Sequence, residues 1–77
     1  MNFSATFSGQ SPRGNCILTD VRADNGMRRQ HVWLDAAYRG HFPAVMRGMQ
    51  VSIQGHYRRY RRGAWTIERI ERVEVVP

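Results

Sequence analysis

The 77 residues carry 12 basic side chains, all arginine, against six carboxylates, for a net charge of +6. A chain this short is expected to be one domain, 1–77, with a small core, and its single cysteine excludes an internal disulfide. No Cys/His spacing suits zinc, no apolar run approaches the ~18 residues that span a bilayer, and the start at Met1 lacks the regions of a secretory signal. A cytoplasmic protein without membrane contact is expected.

Residues 2–8 alternate Phe3, Ala5 and Phe7 with Ser4, Thr6 and Ser8, which predicts a half-buried first strand. Gly9 to Asn15 is a loop by its turn residues. Cys16 to Arg22 is a second strand with an untidy pattern, since Cys16, Ile17 and Leu18 would face both ways; Cys16 is expected to pack as a small apolar side chain. Asn25-Gly26 is a hairpin signal. Met27 to Leu34 is a third strand: with Val32 and Leu34 inward, Arg29, His31 and Trp33 share the other face.

Asp35 suits a cap for a first helical turn at Ala36-Ala37-Tyr38, weakened by Gly40. Pro43 would break that turn and open a short helix, Ala44 to Arg47, ended by Gly48. Phe42, Val45 and Met46 would plug one end of the fold. Met49 to Gln54 is a fourth strand with Gly55 as a bend or bulge. The fifth begins at Trp65-Thr66-Ile67 and ends at Val73-Glu74-Val75. Ile67, Ile70 and Val73 do not share a parity, so an irregularity is expected near Glu68 to Arg72. Between these strands lies Tyr57-Arg58-Arg59-Tyr60-Arg61-Arg62-Gly63, four arginines and two tyrosines closed by a glycine. Guanidinium groups match phosphates, and tyrosine rings match exposed bases.

The expected fold class is all-β with one short helix, in the order β-β-β-α-β-β. That is the order of the OB fold, a five-stranded Greek-key barrel that binds oligonucleotides on its strand 2–3 face and neighbouring loops. A small SH3-like barrel is the competing architecture. Because a core of this size supplies only ~3–5 kcal/mol, homo-oligomerisation is a further expectation.

The stretch Val32-Trp33-Leu34-Asp35-Ala36-Ala37 followed by Val45 to Tyr57, with Arg47-Gly48 and the alternating Val51, Ile53 and Gly55, resembles bacterial single-stranded-DNA-binding proteins and the related primosomal replication proteins. The opening Phe3 to Gly9 is similar to that family's first strand. The resemblance implies that Trp33 stacks on bases, that Tyr57, Tyr60 and the arginines beside them line a hairpin gripping the strand, and that Trp65 sits where the hairpin rejoins the barrel. The chain is shorter than the usual member and ends at Val75-Val76-Pro77 without an acidic tip, which points to an accessory role.

The candidate nucleic-acid contacts are therefore Arg28, Arg29, His31, Trp33, His56, Tyr57, Arg58, Arg59, Tyr60, Arg61, Arg62 and Trp65. On the residues alone, Trp33 is open to burial or contact, Trp65 to packing beside the hairpin, and Tyr57 to pointing inward by alternation from Ile53. The expected partner is single-stranded DNA, with RNA an alternative, bound with low sequence specificity. No cofactor, metal or catalytic residue is expected: the carboxylates are scattered, no phosphate-binding glycine loop is present, and His41 and His56 lack visible partners. Two other readings stay open, a protein–protein adaptor or oligomerisation barrel and a structured-RNA-binding domain.

Overall fold

The structure, a computed structural model, describes residues 1–42 and 45–77; Pro43 and Ala44 lie outside the described residues. β1 (Asn2–Gln10) buries Phe3, Ala5 and Phe7 and leaves the intervening polar residues facing outward, as the alternation requires. β2 (Cys16–Ala23) buries Cys16 and Leu18, then Val21 and Ala23. The parity changes at Asp20, whose φ of 50° is left-handed. There Ser4 opposes Arg22 while Thr6 opposes Thr19, so β2 spends one extra residue in a bulge. That bulge explains the untidy pattern of the second strand.

β3 (Arg28–Leu34) buries Val32 and Leu34, and β4 (Gln50–Arg59) buries Val51 and Ile53. β5 (Trp65–Val75) buries Trp65, Ile67, Ile70 and Val73. Gln54 opposes Arg72 and His56 opposes Glu68; Gly55 alone therefore faces residues 69–71, and Arg69 takes a φ of 50°. This irregularity turns Ile70 into the core. It also explains the glycine. A Cβ at position 55 would stand 3.2 Å from the Glu68 carbonyl oxygen and 3.3 Å from that of Arg69.

The five strands form one antiparallel sheet in the order β3-β2-β1-β4-β5. The expectation of a closed barrel needs correction: no hydrogen-bonded ladder joins the edges β3 and β5. The edges nevertheless meet. The Arg29 guanidinium donates to the Trp65 carbonyl, and the Arg69 N–H donates to the Tyr38 hydroxyl at 3.1 Å. Met27 and Arg28 share a groove with Trp65, while Trp33 and Asp35 share one with Thr66 to Glu68. The facing edges thus run in the same direction.

The helix expectation is also corrected. Among the described residues there is no α-helix; Ala36–His41 is a 3-10 segment, with the Asp35 carboxylate accepting from the Ala37 N–H at 2.8 Å. That cap was legible in the sequence. Part of the expected Ala44–Arg47 helix lies outside the described residues, and Arg47–Gly48 is a turn. Phe42 and Val45 pack partly against the core, as a plug would, but Met46 is 70% exposed and does not. No helix among the described residues is long and apolar enough to cross a membrane.

Candidate nucleic-acid interface

Trp33 lies on β3 opposite Ile17 of β2. Its neighbours Val32 and Leu34 point into the core, so the indole must point out, and it is 57% exposed. His31 follows the same parity and is exposed opposite Thr19. Arg29 departs from the expected face: its guanidinium turns to the β5 edge and bonds the Trp65 carbonyl. It laces the two edges together and is not a free surface cation.

The β4–β5 tip is built by local backbone geometry. The Tyr60 N–H donates to the Ala64 carbonyl at 2.7 Å, and Arg61–Gly63 forms a single 3-10 turn between them. Arg62 and Gly63 take φ values of 62° and 74° in succession. Glycine enters that region freely, whereas arginine does so at a cost of ~1–2 kcal/mol. The turn leaves Tyr60 51% exposed.

Alternation along β4 sorts the tip into two cation–aromatic pairs. The Arg58 guanidinium lies 5.7 Å from the Tyr60 ring centre, and that of Arg59 lies 5.8 Å from the Tyr57 ring centre. Tyr57 is half-buried against the core, consistent with its parity with Ile53. Among the described residues, no carboxylate lies within ion-pair distance of Arg58, Arg59, Arg61 or Arg62; the ion pairs are Arg22 with Asp20, His56 with Glu71 and Arg72 with Glu74. His56 is exposed and occupied by Glu71 at 3.3 Å.

Trp33 and Tyr60, which lie 27 positions apart in the chain (60 − 33), line the same groove of about 330 Å³. Its other walls are Asn15, Asp35, Tyr38, Thr66, Ile67 and Glu68. A second groove of about 290 Å³ brings Arg28 and Arg59 together with Met27, Gly63 and Trp65. The arrangement offers aromatic faces in one groove and guanidinium groups in the next. Trp65, one of the candidate contacts, takes the packing position beside the hairpin. It is 5% exposed, with its ring stacked on Phe3 at 5.9 Å, so it belongs to the core.

Tyr38, Asp35 and Glu68 escaped the sequence reading as site residues. Tyr38 read as part of a helical turn and Glu68 as one of three acids on the last strand. Asp35 lies two residues from Trp33 by sequence alone, whereas only the approach of β5 to the 3-10 segment brings Tyr38 and Glu68 to the same groove, and nothing local in the sequence encodes that approach. Cys16 is fully buried, and burial pushes its thiol above the usual range against smaller opposing effects of Gln10 and Arg39; it is not an activated thiolate. Among the described residues, no group of three or more His, Cys, Asp or Glu side chains could hold a metal ion.

Comparison with known proteins finds no match to this chain among protein families, curated proteins or solved structures.

Proposed function

We propose that this chain binds single-stranded nucleic acid, DNA in preference to RNA, as an OB-fold domain with little dependence on sequence along most of the strand. The observation that carries the reading is the convergence of two largely exposed aromatic rings, Trp33 and Tyr60, on one groove beside four arginines that no carboxylate neutralises among the described residues. A 77-residue domain has little apolar surface to spare. Rings left open to water beside unpaired guanidinium groups are well suited to bases flanked by phosphates.

The strand order supports the OB assignment. The OB fold is a partly open five-stranded Greek-key barrel whose ligands lie on the strand 2–3 face and the β4–β5 loop. Trp33 is on that face and Tyr60 in that loop. In this mechanism bases stack on Trp33 and Tyr60, each contributing ~1–3 kcal/mol. Arg58, Arg59, Arg61 and Arg62, with Arg28, follow the backbone, and each phosphate neutralised steepens the salt slope by ~0.7. The likeness to bacterial single-stranded-DNA-binding and primosomal replication proteins belongs to the same proposal.

The test is a titration of tryptophan fluorescence with oligothymidine at two salt concentrations, beside duplex DNA and an RNA hairpin. Trp65 is buried, so quenching reports Trp33. Quenching by the single strand that weakens with salt is the expected result; no response in dilute buffer overturns the reading.

One observation favours a second reading, an adaptor or homo-oligomer-forming domain. Met46, Met49, Val75 and Val76 are exposed apolar side chains. They lie near one another, because the Met46 N–H donates to the Met49 sulfur and the Val76 N–H donates to the Gln50 carbonyl. Light scattering across a concentration series tests that reading.

A further inference from the structure

We infer that the groove between β3 and β5 reads guanine, with Glu68 as the residue that recognises it. This rests on the nucleic-acid reading above and adds to it a base preference at one position. The groove carries three aromatic side chains, Trp33, Tyr38 and Tyr60, but also two carboxylates, Asp35 and Glu68. A phosphate placed there would meet two like charges, whereas the neighbouring groove offers it Arg28 and Arg59. The aromatic groove is therefore the place for a base.

The carboxylates then decide which base. One oxygen of Asp35 is already engaged by the Ala37 N–H at 2.8 Å. Glu68 is half-buried on the outward parity of β5 with Thr66, and among the described residues its carboxylate has neither a hydrogen-bond nor an ion-pair partner. An ionised carboxylate only accepts, through two adjacent oxygens. Guanine alone presents two adjacent donors, N1–H and the N2 amine, on its Watson–Crick edge. Thymine sets one N–H between two carbonyls, and cytosine and adenine set one amine beside a ring acceptor. Single-stranded bases are read on this edge, and a hydrogen bond to a charged acceptor is among the stronger ones. A cationic ligand would also suit rings and carboxylates, but Arg58 to Arg62 and the net charge of +6 repel it.

The experiment compares the full chain's affinity for an oligothymidine with that for the same strand carrying one central guanine, hypoxanthine, cytosine or adenine. The guanine strand should bind about tenfold tighter than plain oligothymidine. Hypoxanthine, which lacks the N2 amine, should lose most of the gain. Glu68→Gln should abolish the guanine preference, bringing the guanine strand to the affinity of plain oligothymidine. Equal affinity for all five strands overturns the guanine assignment and leaves the nucleic-acid reading standing. A Glu68→Gln variant that tightens every strand equally and keeps the preference overturns the role of Glu68. Binding of no strand overturns both.

Discussion

The two tryptophans define two regions that differ in how far the ring is open to water, 5% at Trp65 and 57% at Trp33. Around Trp65 the indole is stacked on Phe3 and closed off by β1 and β5; around Trp33 it stands over a groove that Tyr60 and Tyr38 complete. Strand parity makes the difference. Trp65 shares its parity with Ile67 and goes inward, while Trp33 alternates with Val32 and Leu34 and goes outward. A large ring is worth ~3–5 kcal/mol to a core, so one left in water contributes little to folding. Two rings of equal size in one small domain thus serve stability in one place and contact in the other.

The sharpest way to break this contrast is to remove each ring. Trp65→Ala should lower unfolding stability by about 3–5 kcal/mol, enough to leave the chain largely unfolded in a denaturant or thermal melt. If it melts like the parent, the stacked core pair is not what holds this end of the fold. Replacing Arg58, Arg59, Arg61 and Arg62 by alanine should leave the melt nearly unchanged. The same variant should flatten the slope of log affinity against log salt by roughly 2–3, at ~0.7 per phosphate contact. An unaltered slope would place the strand elsewhere. Trp33→Ala should change stability by less than about 0.5 kcal/mol and weaken oligonucleotide binding by about 1–3 kcal/mol; a large stability loss with intact binding would reverse the roles of the two rings. The smallest effect belongs to Arg29→Met, which keeps the aliphatic reach but removes the bond to the Trp65 carbonyl. It should cost about 0.5–1.5 kcal/mol of stability, and a loss well beyond that would mean that β3 and β5 depend on this bond far more than one hydrogen bond implies.

Much of the scaffold was legible in the sequence because alternation is a local signal. The five strands, the irregularity between Glu68 and Arg72, the special position of Gly55 and the Asp35 cap all follow from residues a few places apart. The outward face of His31 and Trp33 follows from Val32 and Leu34. Trp65 carries the same signal, its parity with Ile67, which agrees with packing beside the hairpin rather than with its place among the candidate contacts. What local pattern does not contain is how the sheet edges approach. The turn of Arg29 toward the Trp65 carbonyl, the arrival of Tyr38 at Arg69 and the groove wall at Glu68 all depend on that approach. The helical connection departs from its expected form for a similar reason. Its six 3-10 residues, Ala36–His41, are fixed by the cap and by contact with β5 more than by intrinsic helix propensity.

The missing ladder between β3 and β5 also bears on how the molecule responds to occupancy. A seam whose hydrogen bonds, among the described residues, are those of the Arg29 guanidinium and the Tyr38 hydroxyl can widen without sacrificing any strand pairing. A polymer lying across it, touching Trp33 on one bank and Tyr60 on the other, would act as a suture. Saturating ligand should then raise the melting temperature in proportion to the logarithm of its concentration, and backbone amides along the two banks should become slower to exchange with deuterium than those between β1 and β4.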